Sequence, residues 1–261
     1  GTLLYLGVDA LYNVEKFEVE GNRLEGTGVT LIFPSGQPAG SFNVAHNTFR
    51  DTLVAVHGDN TAGSIGVSGT GNTTVCVDDN IFQGCDRSVR FNLTRVEGVL
   101  TSVHVTGNNI MHAFGDPTPM TTGIDVQNCG KIIVKDNSVY GCGVGVYAYG
   151  GVSGEVDDNK ITGFVTYGVH VVGTSDTGTL NVRGNDLNQS NNQLASAYGV
   201  VLVDCVAGSV SDNTMSGYLA TGISVNSSSS IVVRKNKIPY TTLDSRLVTT
   251  CEKNPAPENA L

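Results

Sequence analysis

The sequence lacks several features that would assign it to a common functional class. Acidic residues outnumber basic ones, and the net charge of −9 argues against a nucleic-acid partner, because such a partner needs a basic surface. No apolar run approaches the roughly 20 residues that span a bilayer, so we expect no membrane insertion, and no signal peptide opens the chain. Its histidines and cysteines show no metal-ligand spacing, so we expect neither a metal nor another cofactor. Because the first residue is Gly1 rather than Met, we expect a fragment, a processed chain or a start introduced by cloning.

The residues that are abundant point to strands rather than helices. The sequence has no tryptophan, but it has 33 glycines and is rich in serine, threonine, asparagine and valine. Gly, Ser and Asn weaken a helical backbone or compete with it, whereas Val suits a pleated surface. The composition therefore disfavours helices.

One phrase recurs along the chain: Val, two residues, Asn, any residue, and then an apolar side chain. Successive asparagines of this phrase are 22 to 33 residues apart. They are Asn22, Asn47, Asn80, Asn108, Asn137, Asn159, Asn185, Asn213 and Asn236. Repeats of this length that contain short strands are typical of solenoids, in which equivalent units stack on one another.

A second phrase follows each asparagine except the last: a small residue, an aliphatic residue, any residue, and a mostly apolar position. It occurs at residues 28–31, 53–56, 88–91, 123–126, 145–148, 168–171, 199–202 and 222–225. Both phrases have the period of a strand with one buried face. We interpret the recurring Asn as a corner residue that adopts left-handed backbone and bonds through its amide to the equivalent Asn one coil away.

With these phrases the chain resembles the right-handed parallel β-helix superfamily, the pectate-lyase-like fold, over about residues 17–238. The resemblance implies an all-β, right-handed parallel β-helix of about nine coils with an Asn ladder. We predict the helix over residues 19–238, a strand that leads into it or caps it over 1–18, and a C-terminal cap or docking tail over 239–261. The superfamily includes lyases, hydrolases, epimerases, phage tailspikes and proteins without catalysis, so the fold alone gives no activity.

Three coils are longer than the shortest coil of the repeat because they contain insertions. The insertions lie at residues 33–40, 111–121 and 188–197. The last two occupy the same corner, three coils apart, and loops that leave a rigid tube at one corner commonly wall a groove.

We interpret the six cysteines as small buried thiols. Cys85 and Cys142 occupy equivalent positions two coils apart, and Cys129 and Cys205 do so three coils apart. Since neighbouring coils are about 5 Å apart, neither pair meets the distance that a disulfide needs. A disulfide between Cys76 and Cys85 is the alternative.

Alternate residues of the second phrase point outward and form two columns across the coils. The middle coils place polar and aromatic residues there, which we predict to form a polysaccharide site. The candidate catalytic residues are Arg90, Asp125, Tyr147 and His170, and the candidate substrate-binding residues are His57, Asn92, Gln127 and Tyr149. Tyr rings offer stacking surfaces to sugars, and the polar groups orient them.

This patch also has the side chains that β-elimination of a uronate needs. Arg would neutralise the carboxylate, while Tyr or His would move protons. The alternative is plain surface decoration, in which Arg90 pairs with Asp125 on the next coil.

A hydrolase would need two carboxylates on either side of the glycosidic bond. Asp136 and Asp158 occupy one corner on adjacent coils, although turn chemistry is the favoured interpretation for them. Further pairs are Asp125 with Asp204 and Asp125 with Glu155. Lys135, Asp157 and Arg183 are interpreted as a cross-strand ion ladder. The motifs of polygalacturonases, alginate epimerases and calcium-dependent pectate lyases are absent from the sequence.

The leading hypothesis is a carbohydrate-engaging β-helix, most similar to the shaft domain of a phage tailspike or virion fibre. This resemblance implies a homotrimer, in a virion or extracellular, that binds or cuts surface polysaccharide. Outward aliphatic residues would serve its interface. They are Ile133, Val172, Val201, Val203 and Val232. Two alternatives are a non-catalytic structural or adhesive β-helix and a secreted polysaccharide lyase or epimerase, so whether the protein is an enzyme stays open at this point.

Overall fold

A computed structural model describes most of the repeat and two short strands of the C-terminal tail. The described residues are 2–6, 16–26, 28–32, 40–51, 54–59, 73–92, 101–112, 121–150, 153–173, 179–190, 197–238, 247–249 and 258–260. The three insertions lie for the most part outside them, so the predicted groove walls do too. None of the described residues belongs to a helix long and apolar enough to cross a membrane.

The strands form three parallel rows, which we call the front sheet, the long row and the short row. The front sheet contains β1 (Thr2–Leu6), β4 (Gly28–Ile32), β7 (Val54–Asp59), β10 (Arg87–Asn92), β13 (Thr122–Gln127), β16 (Val144–Tyr149), β19 (Tyr167–Val172), β22 (Ala197–Val203), β25 (Leu219–Asn226) and β27 (Leu247–Thr249). The long row contains β2 (Lys16–Glu20), β5 (Gly40–Ala45), β8 (Thr73–Asp78), β11 (Thr101–Thr106), β14 (Lys131–Lys135), β17 (Ser153–Asp157), β20 (Thr179–Arg183), β23 (Ala207–Ser211), β26 (Ile231–Lys237) and β28 (Glu258–Ala260). The short row contains β3 (Arg23–Glu25), β6 (Thr48–Arg50), β9 (Ile81–Gln83), β12 (Asn109–Met111), β15 (Ser138–Tyr140), β18 (Lys160–Thr162), β21 (Asp186–Gln189) and β24 (Thr214–Gly217).

Each strand pairs in parallel with the equivalent strand of the next coil, as β13 does with both β10 and β16. The inward residues of the strands form continuous apolar ladders. One such ladder is Val77, Val105, Val134, Val156, Val182 and Val210, all without solvent exposure. The predicted all-β parallel helix of about nine coils is therefore confirmed.

The predicted Asn ladder is also confirmed, and it runs through every coil from Asn22 to Asn236. The side-chain Nδ2 of each ladder Asn donates to the Oδ1 of the next one, over 2.9 to 3.1 Å. The same Oδ1 accepts a second hydrogen bond from the backbone N–H of the preceding ladder Asn, as Asn159 does from Asn137. From Asn47 onward the ladder residues are buried, so each amide replaces the hydrogen bonds that water would otherwise supply.

The left-handed corner residue is the one before the ladder Asn, and the expectation that Asn itself adopts this backbone is wrong. At every ladder position the residue directly before the Asn has positive φ; these residues are Gly21, His46, Asp79, Gly107, Asp136, Asp158, Gly184, Asp212 and Lys235. The Asn side chain must point into the tube to reach its neighbours, which leaves the sharp turn to the residue before it. Asp136 and Asp158 are exposed turn residues of this kind, with φ of 55° and 52°, as the turn interpretation predicted.

The small residue of the second phrase lies where successive coils approach most closely. A Cβ at Gly145 would lie 2.6 Å from the carbonyl oxygen of Gly168 and closer still to Cγ2 of Ile161. Gly123 and Gly168 face the next coil in the same way, at 2.8 and 2.7 Å from its backbone oxygen. At these three glycines an added side chain would push the front-sheet strand away from the next coil.

The described cysteines form no disulfide, so the alternative of a bond between Cys76 and Cys85 is wrong. Four of them are buried: Cys85, Cys129, Cys142 and Cys205. Burial raises the pKa of the Cys205 thiol to about 11 and also raises the pKa of Cys129 and Cys142. These thiols therefore stay protonated and pack as small apolar groups.

Both termini contribute strands to the sheets. The first strand, β1, pairs with β4, while β27 and β28 extend the front sheet and the long row beyond β25 and β26. The boundaries predicted at residues 18 and 239 stay predictions.

We expect replacement of Asn159 by Ala to lower the free energy of unfolding by about 2 to 4 kcal/mol. It would leave the buried backbone N–H of Asn137 without its acceptor and would remove one of the acceptors of Asn137 Nδ2. The matched control is Asn22→Ala at the exposed end of the same ladder, for which we expect about 1 kcal/mol or less. Urea denaturation of both variants measures the difference. Equal decreases in the free energy of unfolding would contradict a stabilising role of the buried part of the ladder.

A second pair of variants tests the glycine column. Gly145→Ala should destabilise the protein by about 1 to 3 kcal/mol, because the added methyl group overlaps the next coil. Ser88 occupies the equivalent position on β10, and its buried Oγ has no hydrogen-bond partner within the described structure. Ser88→Ala should therefore be neutral or stabilising in thermal unfolding. A strongly destabilised Ser88→Ala variant would show that the hydroxyl has a partner after all.

Candidate functional site on the front sheet

The front sheet brings seven of the eight predicted site residues together on its outer surface, in the two columns expected. Arg90, Asp125, Tyr147 and His170 lie opposite one another on β10, β13, β16 and β19. Asn92, Gln127 and Tyr149 form the neighbouring column. We call the outer surface of β10, β13, β16, β19 and β22 the front face.

His57 lies in the first column, and its predicted place beside Asn92 is wrong. The register pairs His57 with Arg90, and Asp59 with Asn92. The phrase read at residues 53–56 is displaced by two residues, since Val56 is the one that aligns with the core residue Val89. A shift of two keeps the inside–outside alternation, so the sequence pattern alone gives no sign of the error.

Two further aromatic residues, Tyr167 and Tyr198, join the front face and were missed by the sequence reasoning. The ring centroids of Tyr147 and His170 are 5.3 Å apart, those of His170 and Tyr167 are 4.4 Å apart, and those of Tyr167 and Tyr198 are 5.6 Å apart. These four residues form the aromatic cluster. Their rings are partly exposed and lie within the spacing at which aromatic side chains attract one another.

A pattern of strictly alternating inward and outward residues does not predict the outward positions of the two tyrosines. On β19 the consecutive residues Gly168 and Val169 are both buried, so Tyr167 and His170 point outward on either side of them. A simple period of two would place Tyr167 inside. The signal that was available is the Tyr directly before the glycine in YGVHV and YGVVL.

At the other end of the front face the polar residues are bonded to one another. Asp125 is only 6% exposed, and Gln127 donates to its Oδ1 from Nε2 over 2.7 Å. The Nε of Arg90 lies 4.0 Å from Asp125 Oδ2, which is an ion pair without a hydrogen bond. Asn128 donates weakly to Asn92 Oδ1 over 3.4 Å. The buried carboxylate therefore positions its neighbours instead of lying open to a substrate.

A family model described as the right handed beta helix region matches residues 7–187. The chain belongs to this family. No curated protein and no solved structure is significantly similar to it. The described coils of this right-handed β-helix continue past the matched region, because the Asn ladder extends to Asn236.

The aromatic cluster of this β-helix contains two groups suited to proton transfer. Burial, together with the nearby Asp125 and Tyr149, raises the pKa of Tyr147, so its phenol keeps its proton at neutral pH. Burial lowers the pKa of His170, so its imidazole is neutral and able to accept a proton. A proton donor and a proton acceptor thus lie side by side, as general acid–base chemistry requires.

Another charged cluster of the described β-helix lies on the long row. Arg183 donates to both carboxylate oxygens of the buried Asp157, from Nε over 3.1 Å and from Nη2 over 2.6 Å. Lys135 Nζ lies 3.8 Å from the same carboxylate, so the predicted ion ladder is confirmed. The two other carboxylate pairs considered for hydrolysis, Asp125 with Glu155 and Asp125 with Asp204, lie on separate elements. Glu155 lies on the long row, and the exposed Asp204 follows β22, three coils from Asp125.

The described part of the chain contains no group of three or more His, Cys, Asp or Glu side chains that could hold a metal ion.

The outward aliphatic residues that were predicted to serve a subunit interface differ in exposure: Val232 is 40% exposed, Val201 is 5% exposed, and Ile133, Val172 and Val203 are half-buried.

The β-helix should lose stability as the pH falls from 7.5 to 5.5. Burial lowers the pKa of His104, His112 and His170, so the unfolded chain, with a pKa of about 6.5, binds protons that the folded chain resists. Because the unfolded state then holds more protons, the free energy of unfolding decreases as the pH falls through this window. Asp78, whose pKa burial raises, acts in the opposite direction at lower pH.

His170→Gln cannot take up a proton at this position, so we expect a shallower pH dependence of its urea midpoint than that of the unchanged protein. An identical dependence in both proteins would contradict the assignment to His170.

Proposed function

We propose that this right-handed β-helix binds polysaccharide on its front face. The observation that supports this most is the aromatic cluster, in which Tyr147, Tyr167, His170 and Tyr198 present partly exposed rings 4.4 to 5.6 Å apart. Such rings offer flat apolar surfaces on which the CH-rich faces of sugars stack. The adjoining amides of Asn92 and Gln127 supply polar contacts of the kind that orient a sugar.

The shape of the front face favours a long ligand. Its strands β10 to β22 are held in parallel register by the ladder, so the columns run straight along the helix axis. Five strands at about 4.8 Å span roughly 19 Å, which is long enough for several sugar units. A polymer that lies along the axis would therefore touch the polar end and the aromatic cluster at once.

Holding a glycan is better supported than hydrolysing one. Hydrolysis needs two carboxylates that reach the same glycosidic bond, and the carboxylate of Asp125 is buried and already bonded to Gln127. The second candidate is a lyase, favoured by the pairing of protonated Tyr147 with neutral His170. In that reaction one would return a proton and the other would remove one.

For the biological setting we propose a module of a phage tailspike or virion fibre, which acts as a homotrimer outside the host cell and recognises surface polysaccharide. The resemblance of the repeat supports this, and the outward aliphatic residues Ile133 and Val232, which lie on the long row rather than the front face, are suited to a subunit contact. A monomer in light scattering at micromolar concentration would contradict the trimer. The alternative is a structural or adhesive β-helix whose front face binds nothing.

A panel of bacterial and algal polysaccharides tests the proposal. We expect at least one to bind, and we expect Tyr167→Ala and Tyr198→Ala each to weaken it about tenfold or more, because each removes a stacking ring. Tyr140→Ala is the matched control, since Tyr140 is 38% exposed but lies on the short row. Unfolding midpoints of the three variants show that each is folded.

The same panel separates binding from cleavage. New reducing ends together with the ultraviolet absorbance of an unsaturated uronate would identify a lyase, and reducing ends without that absorbance a hydrolase. Equal affinities for all three variants and the unchanged protein would contradict the front-face site. Absence of any binding would leave the structural alternative.

A further inference from the structure

The outer side of the long row places a thiol beside an imidazole. Cys76 on β8 pairs in register with His104 on β11, and Asn43 on β5 pairs with Cys76 from the other side. Each of the three residues is half-buried and lies between two buried residues of its strand, so its side chain points outward. Because neighbouring strands are about 4.8 Å apart, side chains from these adjacent coils are close enough to share one small ligand.

Two of these side chains have functional groups that the described structure leaves open. The Oδ1 of Asn43 is buried, and no described residue donates a hydrogen bond to it. A buried oxygen in this state is costly, and a cation that accepts its lone pair would remove that cost. Cys76 forms no disulfide, and it is the one described cysteine that is not buried.

The electrostatic surroundings of the pair suit a metal ligand set. Burial and the nearby Lys131 lower the pKa of His104 against the opposing effect of Glu155, so its imidazole is neutral and has a free lone pair. Burial and the neighbouring Asp78 raise the pKa of the Cys76 thiol. The carboxylate of Asp78 disfavours a bare thiolate, but it favours a cation bound to the sulfur.

We propose that Cys76 and His104 bind a zinc ion, with the Oδ1 of Asn43 as the third ligand and a water molecule in the fourth position. Zinc prefers sulfur and nitrogen ligands in a tetrahedral arrangement, at about 2.3 Å and 2.0 Å, and side chains on adjacent strands can meet this spacing. Magnesium and calcium prefer all-oxygen sites, so the thiol selects against them.

This ligand set differs from the groups of three His, Cys, Asp or Glu side chains that the described residues lack, because its third ligand is an amide oxygen. On binding, a bond between sulfur and zinc replaces the S–H bond, and the proton passes to solvent. The site lies on the long row, away from the front face, and does not depend on the proposed polysaccharide binding.

Titration of the full chain with zinc chloride tests the site, by calorimetry at neutral pH in buffers that differ in ionisation enthalpy. We expect one zinc ion per chain and the release of about one proton per ion, because the thiol is protonated before binding. Cys76→Ser and His104→Gln should each weaken zinc binding about tenfold or more. Asn43→Asp should tighten it about tenfold, because a carboxylate of the same shape replaces the amide.

His170→Gln is the matched control, since His170 is half-buried like His104 but lies on the front sheet. It should leave the zinc affinity unchanged. Unfolding midpoints measured without zinc show that each variant is folded. Cobalt serves as a spectroscopic probe of the same site, because its bond to a thiolate gives a charge-transfer band in the near ultraviolet. This band should be present in the unchanged protein and absent from Cys76→Ser.

Three outcomes would overturn the inference. The first is a failure of the unchanged protein to bind zinc at millimolar concentration. The second is an equal zinc affinity of the unchanged protein, Cys76→Ser and His104→Gln, which would place the ion elsewhere. The third is a cobalt–thiolate band that persists in Cys76→Ser. None of these results bears on polysaccharide binding, which is tested separately by the tyrosine variants of the front face.

Discussion

The hydrogen bond from one ladder asparagine to the next is the interaction on which the rest of this β-helix depends. It fixes the corner between the long and short rows in every coil, and it is buried from Asn47 onward. A buried amide that lost its partner would cost more than the bond contributes, so the coils are held to one register. This register turns a repeated sequence phrase into straight columns of side chains.

The straight columns bring side chains that are distant in the sequence together on one face of the helix. The ladder and the glycine column hold successive front-sheet strands close together, so residues from different coils meet as neighbours. Arg90 and Asp125 are 35 residues apart, yet they form an ion pair across adjacent strands. In the same way Tyr147 and His170 bring together a group that keeps its proton and a group that accepts one. The rigid scaffold thus fixes the relative positions of these side chains.

The sequence predicts the parts of this molecule that repeat, and it predicts less well the parts that depart from the repeat. The ladder, the core and most of the front face follow from two phrases, because each phrase recurs with the same alternation. His57 was placed in the neighbouring column, two residues away from its true register, because a two-residue shift preserves that alternation. Tyr167 and Tyr198 were overlooked because consecutive buried residues, such as Gly168 and Val169, break the period of two. What the family match provides is the fold, and the chemistry of the face comes from its individual side chains.

The most direct test of a polysaccharide site on the front face is fluorine NMR of the chain labelled with 3-fluorotyrosine. The sequence contains nine tyrosines, few enough for each signal to be assigned by single Tyr→Phe variants. On titration with the polysaccharide that binds most tightly, the account predicts shifts confined to Tyr147, Tyr149, Tyr167 and Tyr198. Shifts at Tyr140 or Tyr218, with those four signals unchanged, would place the ligand elsewhere on the helix and contradict the account.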